Sequence, residues 1–470
     1  MVNSARERMR PQVARIKPLV EIFNKSGFDL FFVGGPVRDA LMARPVIDLD
    51  FTTNAKPAEI NELLNPIAET VWDVGAKFGT VGGLVNGAKV EITTYRSDVY
   101  QQGSRKPDVV FGTKLEDDLK RRDFTVNAMA LSTDLENFVD PFNGVQALID
   151  KVLVTPTDPE ISFGDDPLRM MRAARFVSQH DFEIEAQVFA AMKSMAERIT
   201  VVSAERVRDE LDLILLSPNP DAGLRILVDT GLADQILPEL SGMQSTEDEH
   251  KLHKDVYEHS LQVLRHAVVL EAEHEPKLEP DLVLRLAALL HDIAKPATKK
   301  VSKNGQVSFH HHEVVGARMA RNRLKALRYP NDVTEQVSRL VELHLRFHGY
   351  ADGDWTDSAV RRYVRDAGDQ LVRLHKLTRA DCTTRNKKKA LDLQKTYSEL
   401  ERRIAALAAE EELAAIRPDL DGRQIMDILA LQPGREVGEA YEYMLELRLE
   451  RGPMTFEDAR TALLDWWQKR

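Results

Sequence analysis

Short runs of β-branched and aromatic residues, bounded by Gly, Asn or charged residues, occupy the chain between residues 28 and 150. They are FDLFFVGG, VIDLDFTT, VGGLVNG, AKVEITTYR and TVNAMALS, and they predict the strands of an α/β segment. From about residue 160 the apolar positions recur with helical spacing, most clearly in LRMMRAARFVSQ, ERVRDELDLILLS, AGLRILVDTGLADQIL and DLVLRLAALLHDIA. The first 23 residues predict one further amphipathic helix, whose apolar face carries Val13, Ile16, Leu19, Val20 and Phe23.

A chain of 470 residues is longer than a single hydrophobic core usually supports, so several domains are predicted. Breaks that contain proline at residues 156–159, 218–220 and 238, and the acidic stretch SGMQSTEDEHK, divide the helical part. We expect an α/β head over residues 1–150, an all-α neck over 151–245, a helical domain rich in histidine over 246–385 and a helical tail over 386–470.

The composition is that of an ordinary globular protein, with 43% hydrophobic and 30% charged residues, which excludes wholesale disorder. No apolar run is long enough to span a bilayer, and the N-terminus is charged throughout, so we expect neither a membrane protein nor a secretory signal. The single cysteine, Cys382, excludes an internal disulfide and a zinc site with several thiolates. A reducing compartment, the cytoplasm, is therefore the expected location.

The net charge of -11 argues against a strongly basic coat for nucleic acid. The charge is uneven, however, because the segment from Arg361 to Lys389 has ten Lys and Arg residues against three Asp and Glu residues. This cationic strip is either a solvated helix face or a contact with a phosphate backbone.

The first candidate site is a glycine turn followed by two aspartates, in FFVGGPVRDALMARPVIDLDF. The turn at Gly35 exposes backbone N–H groups at a helix start, where Arg38 adds a cation, and such a turn suits phosphate oxygens. Asp48 and Asp50 are two apart in a run of β character, so both are predicted to project to one face of a strand. Two adjacent carboxylates repel, and Mg²⁺ ions would hold them together. Glu91 on a later strand is either a third carboxylate of this site or an ordinary exposed residue.

These motifs resemble the head of the tRNA nucleotidyltransferase and poly(A) polymerase superfamily, which belongs to the polymerase-β-like nucleotidyltransferases. GGPVRD followed by DLDF carries the first part of the resemblance, and DLKRRDFTVNAMA carries the second, at Arg121 to Ala128. GDDPLRMMRAARF resembles the helix that selects the nucleotide in this family, and SAERVRDELDLIL matches the motif that follows it. The resemblance covers most of residues 28 to 240. It implies a polymerase-β-like head that carries out nucleotidyl transfer with two metal ions.

The resemblance implies roles for individual residues. Asp48 and Asp50 would hold Mg²⁺, and the triphosphate and sugar would be held by Gly35, Arg38, Arg122 and Asp123. Arg121 would be either a further contact or structural. Asp165 departs from the family, which usually has glutamate there. Residues 96–112 would form the loop needed to switch from C to A addition.

The segment with Asp166, Arg169, Arg172 and Arg175 has a charged residue at every third position. By itself this pattern is typical of a surface helix with a ladder of salt bridges. Cytosine and adenine both present an amine donor beside a ring-nitrogen acceptor, which a carboxylate and a guanidinium match. Guanine and uracil present a carbonyl in place of the amine, and a carboxylate repels it. The resemblance assigns this selection of CTP and ATP to Asp166 and Arg169, with Arg172 and Arg175 helping to hold the nucleotide.

The second candidate site is a set of histidines and aspartates spread over residues 250 to 385. The block resembles the HD metal-dependent phosphohydrolase domain, and its ligand order is matched by His259, His291, Asp292 and Asp381. His312 and His344 match positions that hold a second metal ion in some members, and Glu313 lies beside them. The resemblance implies a divalent metal, namely Mn, Ni, Fe or Mg, with phosphatase or phosphodiesterase activity. A remnant domain kept for RNA binding is the alternative.

We therefore expect an enzyme that adds or repairs the 3′-terminal CCA of tRNA with CTP and ATP. The tail resembles the C-terminal helical region of members with an HD domain, and it would bind the folded RNA by its shape and phosphates. The alternatives are a poly(A) polymerase of the same superfamily, an HD phosphohydrolase whose head only senses nucleotides, and an RNA-binding scaffold.

Overall fold

The computed structural model describes the chain except for residues 73–78, 100–107, 113, 247–254, 274–278, 305–306, 348–355, 383–386 and 411–415. The described residues form two compact units. The first unit comprises Met1–Ser217 and Ala222–Ile236, and the second comprises Pro218–Asp221 and Leu237–Arg470. Among the described helices, none has the length and apolar character needed to cross a membrane.

The head of the first unit is built on a seven-stranded sheet in the order β3-β4-β5-β2-β1-β8-β9. All neighbouring strands in this sheet are antiparallel except β2 and β5, which are parallel. The strands of the first unit are β1 Phe31–Val33, β2 Leu49–Thr53, β3 Thr70–Trp72, β4 Thr80–Val85, β5 Ala88–Thr94, β6 Arg96–Val99, β7 Asp108–Phe111, β8 Ala130–Ser132, β9 Phe138–Val139, β10 Val152–Leu153 and β11 Glu183–Ile184.

The alternation of buried and accessible positions along β5 explains how the sheet presents its polar groups. Val90 and Ile92 are buried, whereas Lys89 and Glu91 are accessible to solvent, as expected for a strand with one face on the core. The turn between β4 and β5 is Asn86-Gly87, with φ of 48° and 67°. Asn and Gly tolerate this left-handed backbone, which hairpin turns of two residues require.

Helices of the first unit surround the sheet and continue beyond it. They are α1 Val2–Arg15, α2 Lys17–Lys25, α3 Gly35–Leu41, α4 Pro57–Leu64, α5 Leu115–Lys120, α6 Gly144–Asp150, α7 Pro159–Asp165, α8 Leu168–His180, α9 Ala186–Ser194, α10 Ala204–Leu215, α11 Pro220–Asp229 and α12 Leu232–Ile236, with α11 beginning in the second unit. The prediction of a single N-terminal helix is wrong, because the chain breaks at Ile16 between α1 and α2. Pro18 explains the break, because it has no N–H to continue the hydrogen bonds of α1 and is tolerated in the first turn of a new helix, where it lies in α2. Ile16, Leu19 and Phe23 are buried as predicted.

The second unit is almost entirely helical. Its elements are α13 Pro238–Gly242, α14 Val256–Ala272, α15 Leu282–Leu290, α16 Lys295–Thr298, β12 Lys300–Val301, β13 Val307–Ser308, α17 His312–Ala326, α18 Asn331–Leu343, α19 Asp357–Ala367, α20 Leu371–Asp381, α21 Lys387–Glu410, α22 Gly422–Leu429, α23 Arg435–Arg451 and α24 Phe456–Gln468. The last three helices share an apolar core that consists of Leu420, Ile425, Ala440, Met444, Leu447, Ala459 and Leu463.

The predicted fold class, an α/β head followed by helical parts, is confirmed. The structure groups the chain into two compact units. The four predicted segments with limits at residues 150, 245 and 385 remain a prediction. Of the predicted loop at residues 96–112, residues 100–107 and 113 lie outside the described residues, and the flanking pieces form the β6–β7 pair.

Candidate functional sites

The carboxylates of Asp50 and Glu91 lie on adjacent strands of the central sheet, and Asp48 lies just before the first of these strands. Asp50 lies on β2, directly in register with Glu91 of the parallel strand β5. Asp48 lies at a bend one residue before β2, so its predicted place within the strand is wrong. Burial raises the pKa of Asp50 to about 6, and the negative charges of Glu91 and Asp48 raise it further while Arg122 opposes them. The charges of all three carboxylates therefore act on one region, which is the donor set that Mg²⁺ prefers.

The glycine turn adjoins the carboxylates through Arg122. Gly34 has a φ of 71°, and a Cβ at this position would lie 3.2 Å from Nη1 of Arg122. Glycine therefore meets a conformational and a spatial demand here. Arg122 also lowers the pKa of Asp50, so its positive charge acts on the acidic group as well as adjoining the turn. This position suits a cation that binds a triphosphate.

A buried aspartate that the sequence analysis missed holds Arg122 in place. Asp118 accepts hydrogen bonds from Arg122 Nη2 at 3.0 Å, from Arg121 Nη2 at 2.6 Å and from Thr52 Oγ1 at 3.1 Å. Burial disfavours its ionised form, but the charges of Arg122 and Arg121 outweigh burial and hold the pKa of Asp118 below its ordinary value. Its signal in the sequence is the spacing of three and four residues to the two arginines. Arg121 is thus structural in this arrangement.

Arg38 and Asp123 connect the head to α8. Arg38 Nη1 donates to Asn127 Oδ1 at 2.9 Å, and its guanidinium lies 5.3 Å from the centroid of the Phe176 ring. Asp123 accepts a bond from Asn127 Nδ2 at 2.9 Å and two bonds from Arg172 at 2.6 and 2.8 Å. Burial opposes ionisation of Asp123, but Arg172 and the hydrogen bonds outweigh it, so its pKa is well below the ordinary value. Asp123 and Arg172 are therefore bound tightly to each other, whereas their predicted role requires them to contact the nucleotide.

The expected base-reading residues lie at the start of α8. The prediction that Asp166 lies on the helix is wrong. Asp166 lies at the junction between α7 and α8, with φ of -142°. Its Oδ1 accepts from Leu168 N at 3.1 Å, and its Oδ2 accepts from Arg206 Nη2 at 2.8 Å. Arg169 Nη1 donates to Ser162 Oγ at 2.8 Å. Arg206 belongs to the motif SAERVRDELDLIL and is a second residue that the sequence analysis did not assign.

Glu210 of the same motif stabilises the arginines of α8. Its carboxylate lies 3.0 Å from Arg175 Nε and 3.6 Å from Arg172 Nη1. Burial raises the pKa of Glu210, and the two arginines partly oppose this. Arg172 and Arg175 thus have a carboxylate partner in Glu210, as Asp166 has an arginine partner in Arg206.

In the second unit, six histidine and aspartate side chains form one cluster, which consists of two groups of three (triads). The first is His259, His291 and Asp381, and the second is Asp292, His312 and His344, with the ligand atoms of each triad within 4.8 Å of one another. All four predicted HD ligands and both second-metal candidates are therefore brought together. Four helix ends supply most of them, because His291 follows α15, His344 follows α18, His312 begins α17 and Asp381 ends α20. Glu313 lies instead 3.9 Å from the exposed His311.

Asp292 lies between the two triads. Its Oδ2 is 3.3 Å from His291 Nε2 and 3.5 Å from His259 Nε2, while its Oδ1 is 3.2 Å from His312 Nε2 and 3.8 Å from His344 Nε2. Each carboxylate oxygen thus faces a different pair of imidazoles. If metal ions bind here, Asp292 would therefore contribute a ligand beside both pairs of imidazoles.

The orientation of three imidazoles is set by the backbone. Nδ1 of His291, His312 and His344 lies 2.9, 2.7 and 2.7 Å from the carbonyl oxygen three residues earlier. When Nδ1 carries the proton and donates to this carbonyl, Nε2 presents its lone pair to the cluster, as in metal sites. Within the described part of the chain, Nε2 of His312 has no hydrogen-bond partner although it is buried. The donor set therefore fits divalent metal ions.

The charges of the cluster act strongly on its imidazoles. Burial disfavours a charged His291, but Asp292 and Asp381 outweigh it and raise its pKa to about 9. Burial, with the charge of His291, lowers the pKa of His344 to about 3. Lys295, which the sequence analysis missed, places Nζ 2.8 Å from Asp292 Oδ2. Its signal in the sequence is the spacing of three residues from Asp292.

Four arginines of the cationic strip pair with carboxylates elsewhere in the second unit. Arg362 and Arg365 pair with Glu446, Arg373 pairs with Asp281, and Arg379 pairs with Glu401. Arg361 is buried and donates to the Leu449 carbonyl. Residues 383–386 of the strip lie outside the described residues. These pairs support neither a solvated face nor a row of phosphate contacts at the arginines described.

Three family models match successive parts of the chain. The Poly A polymerase head domain matches residues 30–154, the probable RNA and SrmB-binding site of polymerase A matches residues 181–243, and the HD domain matches residues 256–386. A CCA-adding enzyme of Lactobacillus helveticus is 41% identical over 227 residues, which are 48% of this chain and 55% of that protein. An A-adding tRNA nucleotidyltransferase of Deinococcus radiodurans is 35% identical over 358 residues, which are 75% of this chain and 79% of that protein. The chain spans about half the length of the CCA-adding enzymes that it matches.

Solved structures share the fold over nearly the whole chain. The crystal structure of the Bacillus stearothermophilus CCA-adding enzyme in complex with CTP has a TM-score of 0.69 at 24% identity, and the match covers 98% of this chain and 99% of that chain. The Thermotoga maritima CCA-adding enzyme complexed with tRNA has a TM-score of 0.61 at 19% identity, covering 99% and 98%.

A polymerase-like α/β head with paired carboxylates, followed by helical parts that include an HD domain, defines the class of nucleotidyltransferases to which the fold and the site point. The chain belongs to the tRNA nucleotidyltransferase family. The resemblance inferred from the sequence is thereby confirmed, and divalent metal ions are used by both the nucleotidyltransferase and the HD families.

Proposed function

We propose that this protein adds or repairs the 3′-terminal CCA of tRNA, using CTP and ATP without a nucleic-acid template. The observation that carries the proposal is that Asp50 and Glu91 lie in register on β2 and β5, with Asp48 just before β2 and with Arg122 acting on Asp50 and adjoining Gly34, in the unit that also holds Asp166 and Arg169. The relatives named for CCA addition, and the structures of such enzymes with CTP, ATP and tRNA, support it. We also propose that this activity takes place in the cytoplasm. We propose further that the chain is organised as the four segments predicted from the sequence.

The proposed chemistry follows from the residues at the end of the sheet. Asp48, Asp50 and Glu91 would hold Mg²⁺, which when bound lowers the pKa of the RNA 3′-hydroxyl and stabilises the leaving pyrophosphate. Arg122 and the N–H groups after Gly34 bind the triphosphate, and Arg38 supports the turn. Asp118 fixes the Arg122 guanidinium, so this cation need not reorganise as charge develops. The protein thus contributes position and a preorganised charge.

The experiment that tests the proposal is incorporation from each single NTP, and from mixtures, into a tRNA that lacks its 3′ end. Growth by C, C and A that then stops supports CCA addition. Growth by a single A, only on a tRNA that already ends in CC, indicates an A-adding enzyme, the activity named for the Deinococcus relative. An unlimited A tail indicates a poly(A) polymerase, and no incorporation with retained nucleotide binding indicates a nucleotide sensor.

The choice of base is proposed to depend on Asp166, held by Arg206. Asp166→Asn places an amide donor where the carboxylate accepts from the base amine, so we expect UTP and GTP to be used relatively better. Discrimination of CTP over UTP should fall roughly 10- to 100-fold, the value of a good bidentate contact. Relative kcat/KM for the four NTPs measures it. The matched control is Asp209→Asn, an exposed carboxylate on α10 paired with Arg208, and unchanged selectivity in Asp166→Asn would refute the assigned role.

We propose a second activity, the hydrolysis of phosphate esters by the HD cluster. The reason is that the two oxygens of Asp292 face the imidazoles of both triads. The substrate class that the resemblance favours is a phosphomonoester or a 2′,3′-cyclic phosphate at an RNA end. His259, His291, Asp292 and Asp381 would hold a first ion, and His312 and His344, with Asp292, a second. Mn, Ni, Fe and Mg all suit these ligands, and metal analysis of the purified protein would identify the ion.

A further inference from the structure

The N-terminal helix α1 is tied to the active end of the head by bonds from its side chains to backbone carbonyls. Gln12 Nε2 donates to the Val46 carbonyl at 3.3 Å. Arg15 donates to the Asn86 carbonyl through Nε at 3.3 Å and to the Gly87 carbonyl through Nη2, while Asn86 Nδ2 donates back to the Arg15 carbonyl at 2.9 Å. This helix lies outside residues 30–154, which the head family model matches.

These bonds reach the two segments that carry the carboxylates. Val46 lies two residues before Asp48, in the stretch without regular structure that leads into β2. Asn86 and Gly87 form the turn that begins β5, on which Glu91 lies. Because β2 and β5 are parallel and start at the same end of the sheet, Gln12 and Arg15 bind the starts of both strands. The two side chains are three residues apart on α1 and so lie on one side of the helix.

We propose that Gln12 and Arg15 are positioning residues that set the separation between Asp48 and Glu91, and thereby the affinity of the head for its divalent cation. The inference rests on the proposed nucleotidyl transfer at this site. Its physical basis is that Mg²⁺ demands near-ideal octahedral geometry, while Asp48 lies outside the strand and lacks the restraint of the ladder. The bond to Val46 restrains that approach, and the Arg15 bonds restrain the turn before Glu91.

The test is Mn²⁺ binding to the full-length protein in the presence of CTP, followed by electron paramagnetic resonance. The contribution of the head is defined as the component that Asp50→Asn removes. We expect Arg15→Ala to weaken this component about 10-fold or more, since loss of a residue that orients metal ligands typically costs 10- to 100-fold. Gln12→Ala should act in the same direction. The matched control, Arg10→Ala, removes an exposed arginine of the same helix that pairs with Glu7 and should leave Mn²⁺ binding unchanged.

Two further measurements separate positioning from a general loss of stability. The Mg²⁺ concentration for half-maximal incorporation should rise in Arg15→Ala while the KM for tRNA stays constant, and Arg15→Lys should recover part of the loss. A lowered melting temperature with unchanged Mn²⁺ affinity would overturn the inference, as would an equal effect of Arg10→Ala. If the wild-type protein binds Mn²⁺ through Asp50 yet incorporates no nucleotide, the proposed function fails while the binding test of Arg15 still decides the inference.

Discussion

Asp50→Asn is expected to reduce nucleotide incorporation by roughly 10³-fold or more, because a catalytic metal ion contributes several kcal/mol and each 1.4 kcal/mol is a factor of ten. Asp50 is half-buried, and the charges of Glu91 and Asp48 act on it. The amide keeps the shape of the side chain but removes the negative charge that binds the cation. The measurement is single-turnover incorporation of CMP into a tRNA that lacks CCA.

The matched control for this change is Asp117→Asn, which makes the same chemical substitution at an exposed position of α5. It should retain incorporation. Equal melting temperatures of Asp50→Asn and wild type would show that the variant is folded and that the loss of incorporation is due to the missing carboxylate. Incorporation by Asp50→Asn within tenfold of wild type would mean that this carboxylate does not hold the metal ion.

The acidic pair and the glycine turn could be predicted from the sequence because each depends on local rules. The Asp-x-Asp spacing keeps Asp48 and Asp50 near each other in the chain although Asp48 itself precedes β2, and a Gly-Gly turn before a helix exposes N–H groups. The partnership of Asp50 with Glu91 could not be predicted, since it depends on the parallel register of two strands 41 positions apart. Glu91 was left open for that reason, and the register now favours its inclusion in the site.

The error at Asp166 has a simple physical cause. The three-residue spacing of Asp166, Arg169 and Arg172 indicated one continuous helix, but Pro167 follows Asp166 directly. A residue before proline is driven towards extended conformation, and Asp166 has φ of -142° and ψ of 100°. Pro167 is therefore sufficient to predict that Asp166 precedes the helix. At this position the Asp166 carboxylate accepts a hydrogen bond from Leu168 N.

Each HD ligand could be predicted from the sequence, whereas the grouping of the ligands into two triads around Asp292 could not. An adjacent His291-Asp292 pair with histidines on other helices indicates a metal site. That the two oxygens of Asp292 face different imidazoles depends on the packing of helices far apart in sequence. The partners of the cationic strip could not be predicted for the same kind of reason, because Glu446 and Asp281 come from distant elements, and a phosphate contact by the strip stays a prediction.

The second large effect is expected from His291→Ala, which should abolish metal-dependent hydrolysis of phosphate esters while incorporation of CMP and AMP continues. His291 is buried, and its Nε2 lies 3.3 Å from both Asp292 Oδ2 and His259 Nε2. Removing it deprives the cluster of a direct ligand, so metal affinity should fall by more than the roughly 100-fold seen for supporting residues. The measurements are metal content after dialysis and hydrolysis of a 2′,3′-cyclic nucleotide.

The two proposed activities are expected to be independent because the clusters belong to different compact units. His310→Ala is the matched control, because it removes an exposed imidazole two residues from His312 and should keep the metal. Since His291→Ala leaves a small cavity, its melting temperature must be compared with that of His291→Gln, which fills most of the space without restoring the imidazole. If both variants fold and yet bind metal as wild type does, His291 is a buried structural histidine and the HD cluster is a remnant. If either variant also stops incorporation while remaining folded, the two sites are coupled and the separation of functions is wrong.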